Sequence, residues 1–304
     1  MSIVEILKCN FKDKSFTTKE AYAVCPDVNK ESVRARIYEN VGIAFDKIAR
    51  GVYITKEQNC ILLEGDGRDL SFLGDGSIDC IITDHPWSDK KSNKGGNRNF
   101  ADYDTFEYTV EDFIEKARVL KHGCFLVEMI PAENENNFDY LYKLKKMAQA
   151  AGFEYYAKVP WIKGTFVANT GRKAKNSEEL MIFSKGKARA LRLDVKKTKQ
   201  LGYECYMSGT NGMLPTDFNV QAVARKDIIA QSQKPVGLIE ALLEYVTFEN
   251  EIVLDQFAGS GVVGEACMNK SRKSILIEKS HELVEKIKDR LDCIKLDASL
   301  IGIA

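Results

Sequence analysis

The sequence predicts an α/β protein built on a mainly parallel β-sheet with helices on both faces, preceded by a small N-terminal unit. From residue 60 onward, short apolar segments rich in β-branched residues alternate with segments of helical periodicity. This alternation predicts strand–helix crossovers and hence parallel strands. Two of the apolar segments end abruptly in a carboxylate, at Asp84 and at Asp255. Polar residues at the ends of buried strands favour a ligand site at the carboxyl edge of the sheet.

The N-terminal unit, residues 1–57, has a different pattern. The segment 17–20 begins a short helix with a hydroxyl cap followed by a carboxylate, and Asn29 caps a second helix over 30–40. Residues 42–55 alternate loosely, as a two-stranded wing does. Helix, tight turn, basic helix and hairpin resemble a winged helix-turn-helix, with 30–40 as the recognition helix. A small helical cap used for packing or dimerisation is the alternative.

The second predicted domain, residues 58–304, contains the alternating elements. We expect strands at 60–63, 78–83, 123–130, 153–161, 180–183, 252–255 and 274–278. We expect helices at 110–120, 138–151, 236–246, from the glycine turn to about 269, and at 281–291. Periodicity fades between about 187 and 230, which predicts an irregular insertion.

Composition excludes several classes of protein. The chain has 304 residues, 44% hydrophobic content, 29% charged content and a formal net charge of zero, so any nucleic-acid signal must be local. The eight cysteines form no C-x-x-C pair and the three histidines are scattered, which predicts neither a metal site nor a disulfide framework. No signal peptide or long apolar run is present, so we expect a cytoplasmic protein without a membrane partner.

One candidate site lies at the end of the strand 78–83. The run Asp84-His85-Pro86-Trp87 places a carboxylate, a proline turn and an aromatic ring at the sheet edge. The carboxylate and a backbone carbonyl can accept hydrogen bonds from a planar amine, while the indole stacks on its ring. Taken alone, the run is equally compatible with a strand that ends in a turn.

A second candidate site follows the strand 252–255. Gly259, Gly261 and Gly264 match a dinucleotide-binding fingerprint, and Glu278 lies about 20 residues further on. Two features argue against NAD. Only one further strand and helix follow the glycines, and Asp255 would repel a pyrophosphate but suits a cationic ammonium or sulfonium group.

Read together, the segments 253–261 and 83–87 resemble the amino-methyltransferases of nucleic acid, which use S-adenosylmethionine to methylate N6 of adenine or N4 of cytosine. The order, with the catalytic motif first and the cofactor glycines last, resembles their β class. The resemblance covers roughly residues 60–290 and implies a Rossmann-like methyltransferase fold. It also implies a target-recognition segment between the two motifs.

The resemblance assigns roles to individual residues. The catalytic set would be Asp84, His85, Pro86 and Trp87. The cofactor-binding residues would be Asp66, Gln233, Lys234, Pro235, Asp255, Phe257, Ala258, Gly259, Ser260, Gly261 and Glu278. One residue departs from the family pattern, since His85 stands where the family usually has proline. Histidine keeps the carbonyl that accepts an amine hydrogen, but adds a freer φ and a titratable ring.

Local charge predicts where DNA binds. Residues 158–230 contain 14 basic and 6 acidic residues in a chain of zero net charge. A solvated variable loop region is the alternative. We expect the insertion at 187–230 to read bases and the helix 30–40 mainly to add affinity. The predicted nucleic-acid contacts are Arg34, Arg36, Lys90, Lys91, Lys94, Arg98, Arg172, Lys173, Arg189 and Arg192.

The sequence therefore predicts a site-specific DNA amino-methyltransferase whose cofactor is S-adenosylmethionine and whose partner is double-stranded DNA. The aspartate-first, tryptophan-ending tetrad favours adenine N6 over cytosine N4 by family resemblance. An RNA amino-methyltransferase and an inert DNA-binding regulator are the alternatives. A cognate restriction nuclease and a second copy of the chain are further candidate partners.

Overall fold

The computed structural model describes residues 1–12, 14–55, 59–87, 105–164, 176–190, 214–230, 232–291 and 293–296. The N-terminal unit comprises α1 (Ile3–Asn10), β1 (Phe16–Thr17), α2 (Thr18–Val24), α3 (Lys30–Glu39), β2 (Phe45–Ala49) and β3 (Val52–Thr55). Its strands form an antiparallel sheet in the order β1-β3-β2. The three helices enclose a core with this sheet, which includes Leu7, Phe16, Val33, Ile37 and Phe45.

Side-chain caps explain where these helices begin. The predicted helices α2 and α3 are confirmed: Thr17 and Glu20 exchange hydrogen bonds at the start of α2, and the Asn29 side chain caps α3. Helix α1 was not predicted, although Ser2 and Glu5 form the same reciprocal cap. The serine–glutamate spacing was therefore the missed sequence signal.

The hairpin β2–β3 also packs against the larger domain. Ile48, Val52 and Ile54 join the same apolar cluster as Ile61 and Leu63 of the next strand. At the edge of this contact, the Lys273 ammonium donates to the Asp46 carboxylate. The proposed domain boundary near residue 57 falls among residues that the structure does not describe.

The larger domain is organised around one sheet. Its strands are β4 (Cys60–Glu64), β5 (Ile78–Thr83), β6 (Leu120–Pro131), β7 (Phe153–Ile162), β8 (Ser177–Lys185), β9 (Phe218–Asn219), β10 (Ile252–Asp255), β11 (Lys273–Glu278) and β12 (Ile294–Leu296). Within the described residues, their order is β12-β4-β11-β10-β5-β6-β8-β7-β9. Only β8 runs against its two neighbours, so the predicted mainly parallel sheet is confirmed.

Helices cover both faces of this sheet, as predicted. They are α4 (Val110–Val119), α5 (Phe138–Ala150), α6 (Val236–Val246), α7 (Val262–Asn269) and α8 (His281–Arg290). Helices α4 and α5 pack on one face and α6, α7 and α8 on the other. The strand β5 alternates between them, since Ile81 faces the first cluster while Cys80 and Ile82 face the second.

The predicted insertion at 187–230 is described only at its two ends. The C-terminal end contains β9, which pairs in parallel with β7, and a 3₁₀ turn at Arg225–Asp227. Neither short element was predicted. Among the described helices, none combines the length and apolar character that a bilayer span requires.

Candidate active site

The carboxyl ends of four adjacent parallel strands bring the predicted site residues together. Asp66 follows β4, Glu278 ends β11, Asp255 ends β10 and Asp84 follows β5, and these four strands are neighbours in the sheet. All four carboxylates line one cavity of about 910 Å³. The structure therefore joins two motifs that lie some 170 residues apart in the sequence.

Most predicted cofactor residues line this cavity, but two do not. Those that line it are Asp66, Gln233, Lys234, Asp255, Phe257, Ala258, Gly259, Ser260 and Glu278. Pro235 is the residue that precedes α6, where it fixes the start of that helix. Gly261 adopts a left-handed φ of 76° at the start of α7, and a Cβ there would lie 3.1 Å from Ile287. The geometry assigns Pro235 and Gly261 to the turn and its packing rather than to the cavity wall.

The glycine turn and Glu278 hold each other in place. One oxygen of Glu278 accepts the Gly259 N–H at 2.8 Å, and the other accepts the Ser280 N–H at 2.8 Å. Burial raises the pKa of Glu278, and these N–H donors oppose that rise. The carboxylate is therefore fixed at the rim with lone pairs that remain able to accept hydroxyl donors.

The carboxyl group of Asp255, at the end of β10, is buried and has a raised pKa. Its carboxylate accepts the Phe257 N–H at 3.1 Å. Burial raises the pKa of Asp255 to about 8, and the Phe257 N–H offsets this only in part. No lysine or arginine of the described residues forms an ion pair with it. A cationic ligand in the cavity would supply that missing charge.

Three residues that line the cavity belong to none of the predicted motifs. Gly67 approaches the β10 turn so closely that a Cβ would lie 1.8 Å from the Gln256 carbonyl oxygen. Arg68 pairs with Asp112 at 2.7 Å, and its guanidinium lies 4.8 Å from the centroid of the Phe106 ring. Phe106 in turn contacts Phe257 across 5.4 Å between ring centroids. Aromatic and guanidinium planes thus form a wall suited to a flat ligand.

The predicted catalytic carboxylate is held by a lysine that was predicted to bind the cofactor. Lys234 Nζ lies 2.5 Å from Asp84 Oδ2 and 3.2 Å from a Glu178 oxygen. Glu178 also pairs with Lys163 at 2.5 Å. These four charged side chains form a chain at the rim, and Lys163 and Glu178 flank the undescribed segment 165–175. No sequence pattern indicated these partners.

The ammonium of Lys234 favours the ionised form of Asp84. Burial raises the pKa of Asp84, while the Lys234 ammonium opposes that rise. Burial alone would lower the pKa of Lys234, but the Asp84 and Glu178 carboxylates outweigh it and raise the value. Each member of the pair thus favours the charged form of the other. One Asp84 oxygen faces the lysine, which leaves the other able to accept a hydrogen bond.

Two other members of the predicted catalytic set, His85 and Trp87, form an aromatic cluster with Tyr140. Trp87 is half-buried at the cavity, with its ring centroid 4.1 Å from that of His85 and 5.1 Å from that of Tyr140. The His85 side chain is fully buried, and burial lowers its pKa well below the usual range. Burial therefore favours the neutral form of this ring.

Of the predicted DNA contacts in the described part of the chain, Arg34 and Arg36 lie exposed on α3. Arg36 pairs with Glu39 of the same helix, whereas Arg34 donates to the Tyr38 hydroxyl at 3.3 Å. The others, Lys90, Lys91, Lys94, Arg98, Arg172, Lys173 and Arg192, lie outside the described residues.

Arg189 is the third predicted DNA contact in the described part of the chain. Its guanidinium pairs with Glu251 at 2.5 Å and lies 5.3 Å from the centroid of the Phe248 ring. Its backbone N–H donates to the carbonyl of Gly123, near the amino end of β6 and hence at the edge opposite the cavity. Arg189 therefore lies away from the cavity with its charge paired to Glu251, and its contact with DNA stays a prediction.

The mainly parallel sheet, the acidic glycine turn after β10 and the run Asp84–Trp87 after β5 together have the arrangement of a nucleic-acid methylase. Residues 78–289 match the family described as DNA methylase, of the N6/N4 methyltransferase type. The chain belongs to this family. The Type II methyltransferase M.HpaI of Haemophilus parainfluenzae is 30% identical over 230 residues, which are 73% of this chain and 71% of that protein.

Solved structures show the same fold. The M1.HpyAVI complex with S-adenosylmethionine superimposes with a TM-score of 0.52 at 23% identity, covering 76% of this chain and all of that one. The PvuII cytosine-N4-specific DNA methyltransferase gives a TM-score of 0.55 at 16% identity, covering 80% of this chain and 90% of that one. The expected Rossmann-like methyltransferase fold is thereby confirmed.

The Lys234–Asp84 pair predicts a change in pH dependence. A Lys234→Met substitution removes the cation that lowers the pKa of Asp84, so the carboxylate should protonate at higher pH. We expect the acid limb of the methyl-transfer rate to move up by about one pH unit or more, with roughly tenfold loss near neutrality. Rates measured from pH 5.5 to 9 test this.

The matched control is Lys158→Met, which removes a lysine that pairs with Glu133 and Glu179 but does not contact Asp84. Its pH profile should overlay that of the wild type. An unshifted acid limb in Lys234→Met would show that Lys234 does not set the charge of Asp84.

Proposed function

We propose that this DNA amino-methyltransferase methylates N6 of adenine within a specific sequence of double-stranded DNA. The observation that carries the proposal is that Asp84, His85 and Trp87 line the same cavity as Asp255 and Glu278. The acidic glycine turn follows the neighbouring strand β10 at the same edge of the sheet. An amine acceptor set and a cation-binding turn share one space, as a direct transfer requires.

S-adenosylmethionine is the cofactor that membership of this family implies, and the residues fit it. Asp255 forms no ion pair with a lysine or arginine in the described ranges, Glu278 presents a fixed carboxylate at the rim, and Phe257 offers an aromatic face. These suit, in turn, the cationic end, the ribose hydroxyls and the adenine of that cofactor. When bound, it supplies an electrophilic methyl group.

The protein's own part in the reaction is to hold the base. An exocyclic amine cannot be reached inside the duplex, so the target nucleotide must flip out. Trp87 would stack on the flipped base, while Asp84 and the His85 carbonyl accept the two amine hydrogens. This leaves the nitrogen lone pair aimed into the cavity. Catalysis then rests on positioning and on the fixed charge of Asp84.

The tetrad supports adenine over cytosine, because an aspartate-first, tryptophan-ending tetrad resembles that of the N6-adenine enzymes. The cytosine-N4 reading stays the main alternative, since the same acceptors fit either exocyclic amine. An RNA substrate and an inert DNA-binding regulator are weaker alternatives. The pairing of Asp84 with Lys234 argues against an inert site, because it favours the ionised carboxylate.

The base identity has a direct test. The wild type should transfer labelled methyl groups from S-adenosylmethionine to mixed-sequence DNA, and Asp84→Ala should lose at least roughly a hundredfold of that rate. Mass analysis of nucleosides from the product should show N6-methyladenine. Detection of N4-methylcytosine alone would overturn the adenine assignment, and transfer to RNA but not DNA would overturn the substrate.

The raised pKa of Asp255 leads us to expect that binding of the cationic cofactor releases a proton from this carboxyl group. In the free protein, the carboxyl is largely protonated below its pKa of about 8. A cationic ligand favours the carboxylate, so binding releases a proton, and affinity rises with pH until about pH 8 and then levels off. Calorimetry near pH 7, in buffers of different ionisation enthalpy, should detect that proton.

The control for this experiment is Asp255→Asn, which keeps the shape but removes the titration. It should bind S-adenosylmethionine more weakly and without proton release from this position. Equal wild-type affinity at pH 6.5 and pH 8.5 would show that Asp255 does not face the cationic part of the cofactor.

We also propose that the N-terminal unit is a winged helix-turn-helix that anchors DNA through α3. Three helices and a β-hairpin packed on one core support this assignment, as does the exposed Arg34. The relatives named as Type II methyltransferases support a role in restriction-modification, with a cognate nuclease as partner. A second copy of the chain remains a further candidate partner.

The anchoring role predicts a change in salt dependence. Replacing Arg34 and Arg36 together by alanine should weaken DNA binding about uniformly across sequences and flatten the salt slope by roughly one per lost phosphate contact. Lys288→Ala, on α8 and paired with Glu285, serves as the surface control. The methylated sequence should not change. A shortened or altered sequence in the double variant would show instead that α3 reads bases.

A further inference from the structure

Behind the tetrad lies a buried polar cluster that the reaction described so far does not use. It consists of His85, Tyr108, Lys116, Glu128 and Tyr140, drawn from the end of β5, the segment before α4, α4, β6 and α5. Of these, only His85 lines the cavity. Burying this many polar groups is costly unless they satisfy one another, so the cluster needs an explanation.

The hydrogen bonds around His85 favour one tautomer of its ring. The backbone N–H of Tyr108 donates to the Tyr140 hydroxyl at 3.1 Å, and that hydroxyl lies 3.1 Å from His85 Nε2. Because the hydroxyl oxygen already accepts from Tyr108, its own proton is available for Nε2. The neutral ring then carries its proton on Nδ1. Burial, reinforced by the nearby Lys116 ammonium, lowers the pKa of His85 well below its usual range.

The proton on Nδ1 faces a carboxylate. Glu128 Oε2 lies 4.0 Å from His85 Nδ1, while the other Glu128 oxygen accepts from the Lys116 ammonium. Lys116 also lies 3.7 Å from the centroid of the Tyr108 ring. Among the described residues, neither of the two buried atoms, His85 Nδ1 and Glu128 Oε2, has a hydrogen-bond partner. A donor and an acceptor therefore face each other about one ångström beyond hydrogen-bond distance.

We propose that Tyr140 and Glu128 are positioning residues that act through His85, taking over the role of the proline that the family usually places there. This inference rests on the proposed function. A proline fixes its backbone through its ring. Here the imidazole is flanked on both sides instead: the Tyr140 hydroxyl is within hydrogen-bond distance of Nε2, and the Glu128 carboxylate faces Nδ1 at 4.0 Å. These contacts orient the His85 backbone, and with it the carbonyl that would accept a hydrogen bond from the target amine.

The same side chains also contact Trp87, whose ring would stack on the target base. The Trp87 ring lies 4.1 Å from the His85 ring and meets the Tyr140 ring edge-on at 5.1 Å. One network thus orients both the carbonyl and the aromatic surface that hold the base. Because small misplacements of reacting groups slow a transfer steeply, loosening this network should affect the transfer rate more than binding.

The central variant is Tyr140→Phe, which removes one hydroxyl and leaves the ring in place. We expect the single-turnover rate of methyl transfer to fall about tenfold, with the dissociation constants for S-adenosylmethionine and DNA within about twofold of wild type. The matched control is Tyr142→Phe, which removes an exposed hydroxyl from the same helix and should leave the rate unchanged.

A double-mutant comparison separates positioning from packing. In a His85→Pro background the ring is absent, so Tyr140→Phe should lose most of its effect on the rate. A packing role predicts instead equal losses in both backgrounds. Nitrogen-15 spectra of the wild type give an independent readout that does not depend on variants folding. Among the three histidines, His85 should show the Nδ1–H tautomer and no titration between pH 5.5 and 8.

The outcomes distinguish this inference from the proposed function. Absence of methyl transfer in the wild type would overturn the proposed function and with it the inference. In an active wild type, three results would overturn the inference alone. These are equal rates for Tyr140→Phe and Tyr142→Phe, equal losses in both backgrounds, and an imidazole that carries its proton on Nε2 or titrates near neutrality.

Discussion

The parallel pairing of β5 with β10 is the constraint on which the site depends. Val253 pairs with Cys80 and Leu254 with Ile81, so two strands separated by some 170 residues end side by side. Parallel strands point their carboxyl ends to the same edge, and each of these two strands ends in an aspartate. The pairing therefore delivers Asp84 and Asp255 to one cavity without any local contact between their motifs.

The carboxylates at this edge lie close enough to repel one another, and their surroundings differ from one carboxylate to the next. Glu278 is held by backbone N–H donors, and Asp84 and Glu178 are held by Lys234. Asp255 accepts the Phe257 N–H and pairs with no lysine or arginine of the described residues, and its raised pKa follows from its burial. A cationic cofactor would supply the opposite charge that this buried carboxylate lacks within the described part of the chain.

His85 shows how a departure from a motif can be absorbed by the residues around it. A buried imidazole would be costly in an apolar pocket. Here α5 supplies the hydroxyl of Tyr140, and β6 supplies Glu128, whose charge is balanced by Lys116 from α4. None of these residues carries a motif of its own. Their relation to the tetrad exists only because β5 and β6 are neighbours and α4 and α5 pack on the same face.

The sequence by itself determined the elements and the chemistry at their ends. Periodicity and caps located most helices and strands, and Asp84, Asp255, Glu278 and the glycine turn were identifiable because each follows a recognisable strand. It missed α1 despite its cap, and the short strands β1, β9 and β12, whose two or three residues are too few for periodicity to show. Short-range patterns report local conformation well, since backbone preference and capping act within a few residues.

Only the tertiary structure decided which side chains share a charge or a hydrogen bond. It paired Lys234 with Asp84, placed Arg189 at the far edge with Glu251, and joined His85 to Tyr140. Each contact links residues that are more than 50 positions apart. Such contacts depend on strand order and on which face of the sheet each helix covers. Those are properties of the assembled sheet rather than of any local run of residues.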